Sequence, residues 1–166
     1  MGGTAYGIIN GTLKYAHAAG IVPHDDITKL TQEEAKRIYR RNFWERYGWG
    51  ELSWPVSLCC LDCSINHGGF AWILQRALVS VGHKVTVDGK FGPQTRGALI
   101  KAAQSDARAL AAAICDCRKI YYDGIITRDP KQAVFKKGWY NRVDALRKAA
   151  GISCIVTGKQ IGRAHV

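Results

Sequence analysis

At 166 residues the chain is long enough to bury a core without disulfide or metal staples, and its 47% hydrophobic content is ordinary for a globular protein. No run of about 18 or more apolar residues exists to span a bilayer. No basic n-region with an apolar h-region opens the chain, which excludes a recognisable secretory signal and points to synthesis in a cytoplasm. Lys and Arg exceed Asp and Glu by 24 to 13, a formal net charge of +11, so a polyanion is the expected partner: nucleic acid, an anionic membrane or a bacterial wall.

In chain order, "MGGTAYGII" reads as a glycine pair and a Tyr6-Gly7 turn, more like the middle of an active-site loop than a terminus. "LTQEEAKRIYRRNFWERYGWG" places Thr31 and Glu34 at capping-box spacing, with Ala35, Ile38, Tyr39 and Asn42 on one helix face. Gly48 and Gly50 end that helix. Pro55 then opens a nearly all-round apolar helix from Val56 to Ile65, which such patterning makes central and buried. After Gly68-Gly69 a stripe of Phe70, Ile73, Leu74, Ala77, Leu78 and Val81 predicts the next helix.

"HKVTVDGKFG" alternates too briefly for a sheet and predicts a small hairpin or extended arm near residues 83–91, turning at Asp88-Gly89. Pro93 starts a helix after Gly92, and two more are expected at about Asp106 to Tyr122 and Pro130 to Ala150. The expected fold class is all-α. The tail from residue 152 has no helical period, and Gln160 to Val166 equals the translation of a common sequencing adapter, so part of the tail is expected to be read-through.

The six cysteines lie mostly in apolar helical runs, where a reduced thiol acts as a small hydrophobe. The competing metal reading of Cys60-x-x-Cys63 and Cys115-x-Cys117 lacks a His at zinc spacing, so no metal or cofactor is expected. His17, His24, His67, His83 and His165 have no partners suggesting a nucleophilic triad. Asp62, mid-helix and four residues before Asn66, is the most interesting carboxylate. Buried, it could serve as a general acid, or it could be hydrogen-bonded and hold the fold together. Glu45 and Glu51, flanking "RYGWG", are either a cleft pair or a solvated helix end.

Together "GGTAYGII", "EEAKRIYRRNFWERYGWGELSWPV", "LDCSINHGG", "LQRAL", "VDGKFGPQT" and "ICDCRKIYY…FKKGWYNRVDALRKAA" resemble, in order, glycoside hydrolase family 108. These are lysozyme-like muramidases of phages and prophages with a C-terminal peptidoglycan-binding region. The resemblance implies a lysozyme-like helical domain that cleaves the bond between N-acetylmuramic acid and N-acetylglucosamine by general acid catalysis. The runner-up is a non-catalytic peptidoglycan- or polyanion-binding helical module.

In that family the acid is a Glu ahead of a Gly-Gly-x-Thr segment, of which Gly2, Gly3 and Thr4 keep only the end. The expected organisation is therefore a muramidase-like domain over 1–82, truncated ahead of Met1, a C-terminal peptidoglycan-binding-like region over 83–151 packed on it, and the tail 152–166. The resemblance gives Thr4 a water-positioning role and leaves Asp62 as fallback acid. Tyr6, Gly7, Tyr47, Asn66, Gly68, Trp72 and Gln75 are the implied substrate-binding residues. Trp44 and Trp49 are further stacking candidates, with about half of the Trp44, Tyr47, Trp49 and Trp72 set expected in the core. Asp88, Gly89, Gly92, Pro93 and Thr95 match a turn found before a helix in peptidoglycan-binding modules, or simply a turn and cap. The implied partner is bacterial peptidoglycan, reached by a monomer through a holin-like pore into the periplasm; no specific nucleic acid is expected.

Overall fold

Thr31 and Glu34 form the reciprocal cap that their spacing predicts. In the computed structural model, which describes residues 3–152, the Glu34 amide donates to Thr31 Oγ1 at 3.2 Å and the Thr31 amide to Glu34 Oε2 at 2.9 Å. This cap starts helix α2, Gln32–Tyr39, in a unit spanning Met1–Gly48. The unit begins with strands β1, Thr4–Ala5, and β2, Ile8–Ile9, paired antiparallel, and continues into α1, Asn10–Ala18. Its core gathers Ile8, Leu13, Ala16, Val22, Leu30, Ala35 and Ile38. From Arg40 to Glu45 the chain widens into a π-helical turn, which the 3.6-residue reading of this stretch did not anticipate.

The second unit, Trp49–Val166, is built on α3 (Val56–Asn66), α4 (Phe70–Ser80), α5 (Pro93–Arg128) and α6 (Lys136–Ala149). Val56, Cys59, Cys60 and Cys63 of α3, Ile73, Leu74 and Leu78 of α4, and Leu99, Leu110 and Ile114 of α5 are fully buried, as apolar helix faces require. Cys59, Cys60, Cys63, Cys115 and Cys117 are unpaired and buried, and burial pushes the Cys63 thiol up to about 12. Helical geometry in α5 breaks at Asp106 (φ −152°, ψ 87°), whose Oδ1 accepts from the Ala109 amide at 3.0 Å. The helix expected from Asp106 thus starts at this cap and runs on to Arg128, and the helix expected from Pro130 is a 3-10 turn, Pro130–Phe135, leading into α6.

Among the described residues the fold is all-α apart from β1 and β2. Strand pairing falls at Thr4–Ile9, whereas residues 83–91 form an extended arm without strand pairing, tied down by a side chain of α4 described below. No described helix is long and apolar enough to cross a membrane. Gly2, Cys154, His165 and the tail from residue 153 lie outside the described residues.

Candidate functional site

In the first unit the candidate residues sit on the β1–β2 hairpin. A two-residue loop joining right-twisted strands favours positive φ at both central positions, and Tyr6 (φ 52°) and Gly7 (φ 77°) adopt it. Tyr6 pays the steric cost of a left-handed backbone. Its carbonyl accepts from Tyr39 Oη at 2.8 Å, which pins the turn to the end of α2 while the Tyr6 ring stays exposed. A Cβ on Gly7 would stand 2.6 Å from Tyr39 Oη. Gly7→Ala is therefore expected to lose about 1–3 kcal/mol, read as a lower urea midpoint, with Tyr39→Phe losing less. Thr4 pairs with Ile9 across the hairpin and is exposed.

Beyond the hairpin, the π-helical turn lines a groove of about 390 Å³ with Tyr15, Arg41, Asn42, Glu45 and Arg46. Tyr15 is 73% exposed. Arg41 and Asn42 form no ion pair or side-chain hydrogen bond among the described residues, whereas Glu45 is ion-paired with Arg40 Nε at 3.4 Å. The groove therefore offers an aromatic face, a guanidinium and an amide to a polar ligand. The helical pattern puts Asn42 on one face with Ala35, Ile38 and Tyr39; it lies within the π-helical turn and lines this groove. Tyr47, half-buried, carries the Arg46 guanidinium 5.5 Å from its ring centre.

In the second unit Asp62 is the centre of a charged network. Oδ2 accepts from Arg118 Nη1 at 2.6 Å and Oδ1 from Arg142 Nη2 at 3.0 Å. Each carboxylate oxygen thus accepts from one guanidinium, which ties α3 to α5 and α6. Arg118 is fully buried, and its Nε donates to His67 Nε2 at 3.0 Å, which fixes the imidazole proton on Nδ1. Burial, with the Arg118 charge adding to it, lowers the His67 pKa to about 4. Its ring also meets Tyr122 at 4.9 Å and Tyr121 at 5.4 Å. Asn66 turns its amide back onto the Asp62 carbonyl at 2.7 Å and is exposed, as is Gly68.

Trp72 is half-buried between the Arg76 guanidinium, 5.2 Å from its ring centre, and the Tyr121 ring at 5.8 Å. Trp49 is a core residue, 1% exposed, and its Nε1 donates to Ser64 Oγ at 3.0 Å. Trp44 is half-buried. Glu51 pairs with Arg96.

Gln75, implied as a substrate contact, is 1% exposed and spends its amide on the arm. Nε2 donates to Asp88 Oδ1, the Lys90 carbonyl and Thr95 Oγ1 at 2.9–3.0 Å, and Oε1 accepts from the Asp88 and Gly89 amides at 3.1 and 2.9 Å. The "VDGKFGPQT" stretch is thus a turn with Gly89 at φ 72°, a Gly92 N-cap, Pro93 in the first helical turn and a buried Thr95, all held by one amide. The Lys90 amide, then Gln75, holds the Asp88 carboxyl below its ordinary range. Gln75→Leu is expected to destabilise by about 1–3 kcal/mol by leaving these groups unpaired. Faster hydrogen exchange at the Asp88 and Gly89 amides would report it; unchanged exchange there would contradict the assignment.

Among the described residues no group of three or more His, Cys, Asp or Glu side chains is disposed to hold a metal. Residues 1–68 match the family model described as Glycosyl hydrolase 108, and residues 71–144 match that described as Predicted Peptidoglycan domain. No curated protein matches the chain.

Proposed function

We propose that the protein is a lysozyme-type muramidase (EC 3.2.1.17), because residues 1–68 match the glycosyl hydrolase 108 model and residues 71–144 match the predicted peptidoglycan domain model. The bond cleaved is the one between N-acetylmuramic acid and N-acetylglucosamine. The order of the two matches, a hydrolase segment followed by a wall-binding one, carries the reading. The finer organisation we assign is a muramidase-like part over 1–82 and a wall-binding part over 83–151.

The reaction needs a protonated carboxyl at the glycosidic oxygen and a carboxylate or held water opposite an oxocarbenium-like transition state. We assign the Thr4 hydroxyl to the water, Tyr6 and the groove of Tyr15, Arg41 and Asn42 to sugar contacts, and Asn66, Gly68 and Trp72 to contacts in the second unit. Asp62, Glu45 and Glu51 are each engaged by arginine, which favours an acid supplied from outside these 166 residues. The same engagement favours, for the chain as it stands, a second reading as a non-catalytic peptidoglycan-binding module. Entry to the wall by a holin-like pore, action in the periplasm and a monomeric state complete the proposal.

Release of reducing ends from purified peptidoglycan tests it, using the 166-residue chain and the same chain preceded by a segment carrying the family's Glu. The first is expected to be retained on insoluble peptidoglycan without cleaving it, and the second to cleave. No release by the extended protein sinks the enzyme reading, and equal release by both returns the acid to the 166 residues.

A further inference from the structure

Between α5 and α6 the turn Pro130–Phe135 turns apolar side chains outward. Val134 is 78% exposed and Phe135 52% exposed, whereas a pair of adjacent large apolar residues normally finds cover. Phe135 cannot simply fold back. Its ring packs against Trp139 at 5.7 Å, and Trp139 stacks on the buried Tyr122 at 4.6 Å with the planes 13° apart. An aromatic column therefore runs from the core to this tip and holds Phe135 outward, with the half-buried Trp139 directly behind it.

Around the tip stand Arg128, Lys131, Lys136 and Lys137, all exposed. Lys136 pairs with Asp123 at 3.2 Å, while Arg128, Lys131 and Lys137 form no ion pair among the described residues. The carboxylate at the N-cap of the turn, Asp129, is engaged locally, accepting from the Lys131 amide at 3.2 Å and from Gln132 Nε2 at 3.1 Å. Unpaired cations ringing a projecting apolar pair, backed by a tryptophan, suit a surface that is anionic outside and hydrocarbon inside.

We propose that the Pro130–Phe135 tip docks on anionic lipid bilayers, with Val134 and Phe135 entering the headgroup–acyl boundary and Arg128, Lys131 and Lys137 contacting lipid phosphates. A glycan or anionic wall polymer would satisfy the cations but has no apolar phase to receive Val134. The inference does not depend on the muramidase reading.

Co-sedimentation of the full chain with phosphatidylglycerol-containing vesicles and with pure phosphatidylcholine vesicles tests it, alongside retention on insoluble peptidoglycan. The wild-type protein is expected to bind the anionic vesicles preferentially. The exposed double variant Val134→Ser/Phe135→Ser should partition at least about tenfold less, since each buried methylene contributes to insertion. Lys131→Gln/Lys137→Gln should lose about 25-fold, roughly fivefold per lysine on an anionic surface. Both variants should keep the wild-type helical content by circular dichroism. Vesicle binding that falls in the lysine variant but not in the serine variant overturns the proposal in favour of a plain polyanion site. Loss of peptidoglycan retention in the serine variant, with vesicle binding intact, overturns it in favour of a wall contact.

Discussion

Asp62→Ala is expected to destabilise the second unit by about 3–5 kcal/mol, because it leaves the fully buried Arg118 guanidinium without its counter-ion. Arginine cannot shed its proton to escape this cost, and His67, already accepting from Nε, offers no charge. Such a loss is a large part of the stability of an ordinary domain, about 5–15 kcal/mol. The change should appear as a lower urea midpoint without a change in slope. Asp62→Asn, which keeps one acceptor, should lose less. Adding Arg118→Met to Asp62→Ala should recover much of the loss, since a buried ion pair replaced by apolar groups is often close to neutral. A loss below about 1 kcal/mol for Asp62→Ala would show that the pair does not carry this weight.

The second large effect is a pH dependence centred on His67. Its pKa, lowered to about 4 in the folded protein, lies below the ordinary value of about 6.5 expected in the unfolded chain. Between those values the unfolded state binds the proton and the folded state does not, so stability rises with pH across the window. This contribution is fully present above about pH 6.5, is lost as pH falls to about 4, and amounts to about 3 kcal/mol. His67→Gln keeps an acceptor for Arg118 but does not titrate. Urea midpoints at pH 7 and pH 4.5 should therefore converge more closely in His67→Gln than in the wild-type protein. An equal difference in both proteins would place the titration elsewhere.

Local signals in the sequence were readable wherever the partners lie within one turn of each other. Thr31 and Glu34 are three residues apart, Pro93 follows its cap directly, and Asp106 starts a helix three residues before the amide it receives. The turn at Tyr6-Gly7 was legible for the same reason, although the two short strands flanking it were not. What stayed hidden depends on distant partners. Arg118, set in "CDCRKIYY", looks like one more solvated cation, and only the packing of α3 against α5 brings it to Asp62 and His67. Gln75 belongs to a helix that reads as amphipathic, yet its partners are 13–20 residues further along. The π-helical turn defeats any argument from a 3.6-residue period, because the wider turn displaces every later side chain around the axis.

The break at Asp106 bears on the order in which the chain assembles. Closing the first turn is the unfavourable step in helix growth, with a nucleation constant of about 10⁻³. A side-chain cap at Asp106 gives the segment after it a start of its own, independent of the segment opened by Pro93. Residues 93–105 and 106–128 are therefore two separately initiated rods that share one axis only in name. Arg118 lies in the second, so the rod that must find Asp62 and His67 can form before the arm and its Gln75 anchor are in position.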